Sequence, residues 1–237
     1  MEENLEELKN EVETLFIPQL LTKLEETREN PPLYIEIAKN LCKCHTFLGN
    51  HGEAENCWIQ LETLILQSIP PGPNSFTVER NKMDVELSGV YVNLASLALA
   101  NENHQKTIEL YQKAADVITP WIFDQNDMSP VPSLISIATH RIRACVAEKN
   151  WRVLKDDIQT VSSAQDIIDQ LEEFAKQQFD LSLNTLIFQI GQKRSAFIAA
   201  LKANVNVELL KIILQSNPDI EIDGPELQWL EQEYKKQ

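Results

Sequence analysis

YVNLASLALANENHQKTIELYQKAADVITP, residues 91–120, opens with small and apolar residues, breaks at a polar patch, restarts as a second amphipathic run and stops at a proline. Tyr91, Leu94 and Ala98 fall at steps of three and four, as do Ile108, Tyr111, Ala115 and Ile118. That spacing predicts two helices joined at NENH, an αα-hairpin.

The same reading extends upstream. Tyr34, Ile37, Ala38, Leu41, His45 and Leu48 form one stripe, GNHG interrupts it, and Ala54, Cys57, Trp58, Leu61 and Ile65 form the next. Asn30 is the expected N-cap of the first of these helices, with Pro31 or Pro32 in its first turn. Residues 2–28 read as an acidic-faced helix bent near Pro18, its stripe made of Leu5, Leu8, Val12 and Leu15. The proline-bearing stretches 68–84 and 119–132 are expected to be loops, with Phe76, Trp121, Ile122 and Phe123 folding back over helix ends or anchoring a partner. Leu134, Ile137, Ala138 and Cys145 precede Trp151, Leu154, Ile158 and Val161 across a bend at EKN. Further helices are expected at 164–178, 183–202, 206–215 and 225–235. No segment alternates with period two, so no sheet is predicted.

Aligned with each other, two hairpins share their offsets. Tyr91-x2-Leu94-Ala95-x2-Ala98, then Thr107-x3-Tyr111-x2-Ala114 and Pro120, matches Ala38-x2-Leu41-Cys42-x2-His45, then Ala54-x3-Trp58-x2-Leu61 and Pro70. This resembles the tetratricopeptide repeat, a helix–turn–helix of about 34 residues in which small residues let paired helices approach and an aromatic fills the gap to the next unit. Thr107 stands where alanine is usual, and the two units lie 53 residues apart, the 68–84 loop taking up the surplus. Residues 134–162 follow the pattern more loosely. The resemblance implies an all-α, right-handed superhelical solenoid of antiparallel helix pairs over 34–162, a capping helix at 1–30 and further hairpins or a cap at 163–237, together one domain. The N-terminal stripe fits a cap or a coiled-coil seam; it lasts about two heptads before Pro18, fewer than a coiled coil uses, so a cap is expected.

Composition narrows the function. A formal charge of −15 disfavours nucleic acid, because phosphate contacts need a basic surface. Only 6 glycines leave little for a phosphate-cradling loop. The acidic N-terminus lacks a signal-peptide layout, no apolar stretch is long enough to span a membrane, and 4 cysteines without secretory context read as reduced thiols. A cytoplasmic or nuclear protein is expected. CKCH at 42–45, with Cys57 beyond, suggests a metal at first sight. However, Cys42 and Cys44 would point about 200° apart on a helix, and Cys42 and His45 occupy core places, so packing is the expected role. His45, His51, His104 and His140 show no zinc spacing, no nucleophile or P-loop motif is present, and the carboxylates fall on solvent faces. We expect no enzyme and no cofactor.

Charge placement points to binding instead. Residues 139–155 hold Arg141, Arg143, Lys149, Arg152 and Lys155, and residues 181–204 hold Lys193, Arg194 and Lys202 without an acid. Such islands either neutralise acidic helices of the same chain or attract an acidic segment of another, arginine supplying forked carboxylate contacts. The repeat resemblance further implies a concave groove lined by the first helices of successive hairpins, where some relatives clamp a terminal carboxylate with Lys and Asn. The matching places here carry Lys39, Lys43 and Asn93, with Lys43 standing where the clamp usually has Asn. The expected partner-binding residues are therefore Lys39, Lys43, Asn93, Ser96, His140, Arg141 and Arg143. The expected activity is that of a protein-interaction scaffold, the alternatives being a structural subunit with covered faces and a helical small-molecule sensor.

Overall fold

Local capping chemistry sets where the helices begin. In the computed structural model, residues 2–69, 77–178 and 181–215 are described, and among them every regular element is helical. The elements are α1 (Glu2–Glu11), a π-helical turn (Val12–Phe16), α2 (Ile17–Glu26), α3 (Pro31–Leu48), α4 (His51–Ser68), α5 (Val78–Ala100), α6 (His104–Phe123), α7 (Val131–Ala147), α8 (Trp151–Gln178), α9 (Leu181–Asn204) and α10 (Val207–Gln215). No strand occurs among the described residues. Side-chain oxygens of Asn30, Thr77, Asn103, Asn150 and Asn206 each accept from a backbone N–H three residues on, satisfying donors that a helix start leaves open. A π turn, Val12–Phe16, sits just ahead of Pro18, which lacks the N–H a regular ladder would need.

Three boundaries differ from the sequence reading. Helix α5 starts at Val78, inside the stretch expected to be loop. Helix α6 runs through Pro120 to Phe123, again into an expected loop. The proline penalty of about 3 kcal/mol is outweighed because the extra turn buries Trp121 and Ile122, worth about 5 and about 3 kcal/mol by the area they remove from water. Phe123 stays 76% exposed. Helix α8 is continuous across the expected break near 163, since Val161, Ala164, Ile168 and Leu171 keep one buried stripe running. Phe76 and the last expected helix, 225–235, lie outside the described residues.

The chain divides into two compact units, Met1–Asn101 and Glu102–Gln237. In the first, α3 packs on α2 and α4, and α4 on α5. The α3–α4 turn closes at Gly49, whose φ of 76° suits a residue without Cβ, while Asn50 N–H reaches back to the His45 carbonyl at 3.0 Å. Trp58 is 1% exposed, Ala54 and Cys42 are fully buried, and the Trp58 Nε1–H donates to Thr46 Oγ1 at 3.4 Å. Burying roughly 200 Å² of such a side chain contributes about 5 kcal/mol. The stripe over α1 and the π turn is not so used: Leu5, Leu8, Leu15 and Phe16 are exposed, and α2 and the π turn rather than α1 pack against α3.

In the second unit, α7 is the central element, packed on α6, α8 and α9, with α8 also against α9 and α10. Its core includes Tyr111, Ile135, Ile142, Leu154, Ile158, Phe197 and Leu201. The α7–α8 turn repeats the geometry of the α3–α4 turn, with Lys149 at φ 53° where Gly49 stood and Asn150 N–H bonded to the Cys145 carbonyl at 2.9 Å.

Candidate functional site

The expected binding residues fall on α3 and α5 of the first unit and α7 of the second. In the first unit Lys39 of α3 is partly buried and its ammonium lies 2.5 Å from a Glu86 carboxylate oxygen on α5. Lys43, one turn further along α3, is exposed. On α5, Asn93 donates its amide to the Gly89 carbonyl at 2.7 Å, and the Ser96 hydroxyl donates to the Val92 carbonyl at 2.9 Å. Gly89 itself is exposed, and a Cβ built there would meet nothing within 4 Å. Glu86 neutralises half of the basic pair the sequence suggested.

In the second unit Arg141 departs from expectation. It is 6% exposed, so it presents no surface to a partner. Its Nε donates to Asp157 at 3.0 Å, its Nη2 donates to the other oxygen of Asp157, and its Nη1 donates to Gln112 Oε1 at 2.7 Å. Burial pushes the Asp157 carboxyl up to about 6 despite the guanidinium against it, and burial likewise pushes the Cys145 thiol up to about 12. His140 and Arg143, about 100° and 200° round α7 from Arg141, turn outward. His140 is exposed, its Nδ1 2.7 Å from the Ser136 carbonyl and its ring stacked on Tyr111 with centroids 6.3 Å apart. Arg143 is exposed as well.

The basic islands are thus divided. Arg141, Lys155 and Arg194 are buried, whereas Arg143, Lys149, Arg152, Lys193 and Lys202 remain exposed. Sequence reading missed which of them turn inward, although one signal was present: Arg141 and Asp157 are equidistant from the α7–α8 turn at Lys149, so antiparallel helices bring them level.

A second signal of that kind lies in CKCH. Cys42 and Cys57 are equidistant from the Gly49–Asn50 turn, and their sulfurs are 2.7 Å apart. Cys42 is fully buried, in keeping with its expected core place. Among the described residues no group of three or more His, Cys, Asp or Glu is placed to hold a metal. A cavity of about 400 Å³ opens between α2, α3 and α4, lined by Leu24, Arg28, Tyr34, Leu41, Cys57 and Leu61 among others. No helix among the described residues is long and apolar enough to cross a membrane.

Against known proteins, the chain matches no protein family, no curated protein and no solved structure.

Proposed function

We propose that this chain is a non-catalytic scaffold of the tetratricopeptide-repeat type, a right-handed solenoid of helix pairs that holds a segment of another protein on its first-helix faces. One observation carries the repeat reading. At three successive junctions a polar side chain on the second helix of one hairpin meets a residue 29 positions later on the next first helix: Glu62 with Tyr91, Gln112 with Arg141, and Gln165 with Arg194. A constant sequence spacing at a constant kind of contact is what stacking of like units produces.

The binding reading is supported by what remains outside. Lys43 is exposed on α3 and Asn93 lies on α5, while His140 and Arg143 are exposed on α7. In a chain of net charge −15 the exposed cations Lys43 and Arg143 favour an acidic or C-terminal partner segment. Arg141 is left out of the site because its guanidinium is taken up internally. The test is affinity purification from the native cell with wild type and Lys43→Glu/Arg143→Glu in parallel. The reading expects partners lost from the variant while its helical content and melting are unchanged; identical partner lists would remove the site.

The exposed stripe of Leu5, Leu8, Leu15 and Phe16 favours a second reading, a subunit of a larger assembly whose faces are permanently covered. Self-association of the isolated chain, abolished by Leu8→Glu/Leu15→Glu, would favour it over the scaffold reading.

A further inference from the structure

Two thiols on facing helices are almost within bonding distance. The Sγ atoms of Cys42 on α3 and Cys57 on α4 are 2.7 Å apart, and a disulfide is about 2.05 Å long, so they need to approach by only about 0.7 Å. Their surroundings differ. Cys42 is fully buried, whereas Cys57 is partly exposed and lines the α2–α3–α4 cavity. Arg28, an exposed cation 3.8 Å from Glu25, lines the same cavity and suits the carboxylates of a small peptide disulfide.

We propose that Cys42 and Cys57 are a redox-active dithiol, which a low-molecular-weight disulfide of the glutathione type oxidises through this cavity to a bond across the α3–α4 hairpin. The roles follow from the geometry. The Cys42 thiol donates to Cys57 Sγ. That bond holds the Cys57 thiol below its usual range, while the same bond and burial hold Cys42 above it. Cys57 is therefore the entering nucleophile and Cys42 the resolving thiol.

In the first step the Cys57 thiolate attacks one sulfur of the small disulfide; that S–S bond breaks, a mixed disulfide forms, and one thiolate leaves and takes up the proton Cys57 gave up. In the second, Cys42 attacks the Cys57 sulfur and expels the second thiolate, which takes the Cys42 proton. Two protein thiols are oxidised to one disulfide, and one small disulfide is reduced to two thiols. Cys44, about 200° round α3 from Cys42, takes no part.

The experiment uses the full reduced chain and oxidised glutathione, with acid quench, alkylation and peptide mapping over time. Wild type is expected to give the Cys42–Cys57 linked peptide, formed at least about tenfold faster than any adduct at Cys145. Cys42→Ser is expected to stop at a glutathione adduct on Cys57, Cys57→Ser to give neither product, and Cys44→Ser to behave as wild type. The wild-type map stands whether or not a variant folds. Linkage through Cys44 or Cys145 instead, or Cys42 and Cys57 both remaining reduced in excess oxidised glutathione, would overturn the proposal.

Discussion

Arg141 on α7 donates to Gln112 on α6, 29 residues earlier, and Arg194 on α9 stands in the same relation to Gln165 on α8. Each arginine is buried, at 6% and 1% exposure, so each junction carries a cation inside the stack rather than on its surface. A buried guanidinium is tolerable only where its donors are met; at Arg141 Nε, Nη1 and Nη2 all have acceptors, Asp157 and Gln112, which makes that pairing a register mark between neighbouring helices.

Arg141→Met removes the cation and leaves the Asp157 carboxylate buried. The expected loss is about 3–5 kcal/mol of unfolding free energy, read from urea denaturation. Asp157→Leu added to it is expected to recover much of the loss, because the pair is then replaced by apolar volume. Additive losses in the double variant would mean that the ion pair is not the coupled unit described above.

The pH dependence of Asp157 has a definite sign. Its folded carboxyl lies at about 6, above an unfolded value of about 3.9, so between those values the folded chain holds a proton that the unfolded chain has lost. The resulting contribution is fully present below about pH 4 and is lost as pH rises through about 6. Relative to Asp157→Asn, which cannot titrate, wild type is expected to lose about 2–3 kcal/mol between pH 4 and pH 7. A difference that is flat with pH, or rises, would contradict this.

Trp58→Ala and Tyr111→Ala each empty a site that is 1% exposed. Losses of about 3–5 kcal/mol are expected for the tryptophan and about the same for the tyrosine. Hydrogen exchange would register the first change over α3–α5 and the second over α6–α7. Either variant melting like wild type would remove the ring from the core.

The paired turns allow a reciprocal test. Gly49 and Lys149 both hold positive φ, 76° and 53°, and only glycine does so without strain. Gly49→Ala is expected to lower stability by about 1 kcal/mol, while Lys149→Gly is expected to raise it by up to about 1 kcal/mol. Equal effects of the same sign in thermal melts would show that the two turns are not alike.

The sequence by itself determined the helical class, the cap at Asn30 and the burial of Trp58 and Tyr111. Those features depend on groups three or four residues apart, which a single chain segment already contains. Only the tertiary structure decided that Arg141 turns inward while Arg143 stays out, that α6 continues through Pro120, that Cys42 meets Cys57, and that the α1 stripe is left exposed. The partners that decide these outcomes lie on other helices, and whether burial outweighs desolvation or a proline penalty depends on what those helices bring to the contact.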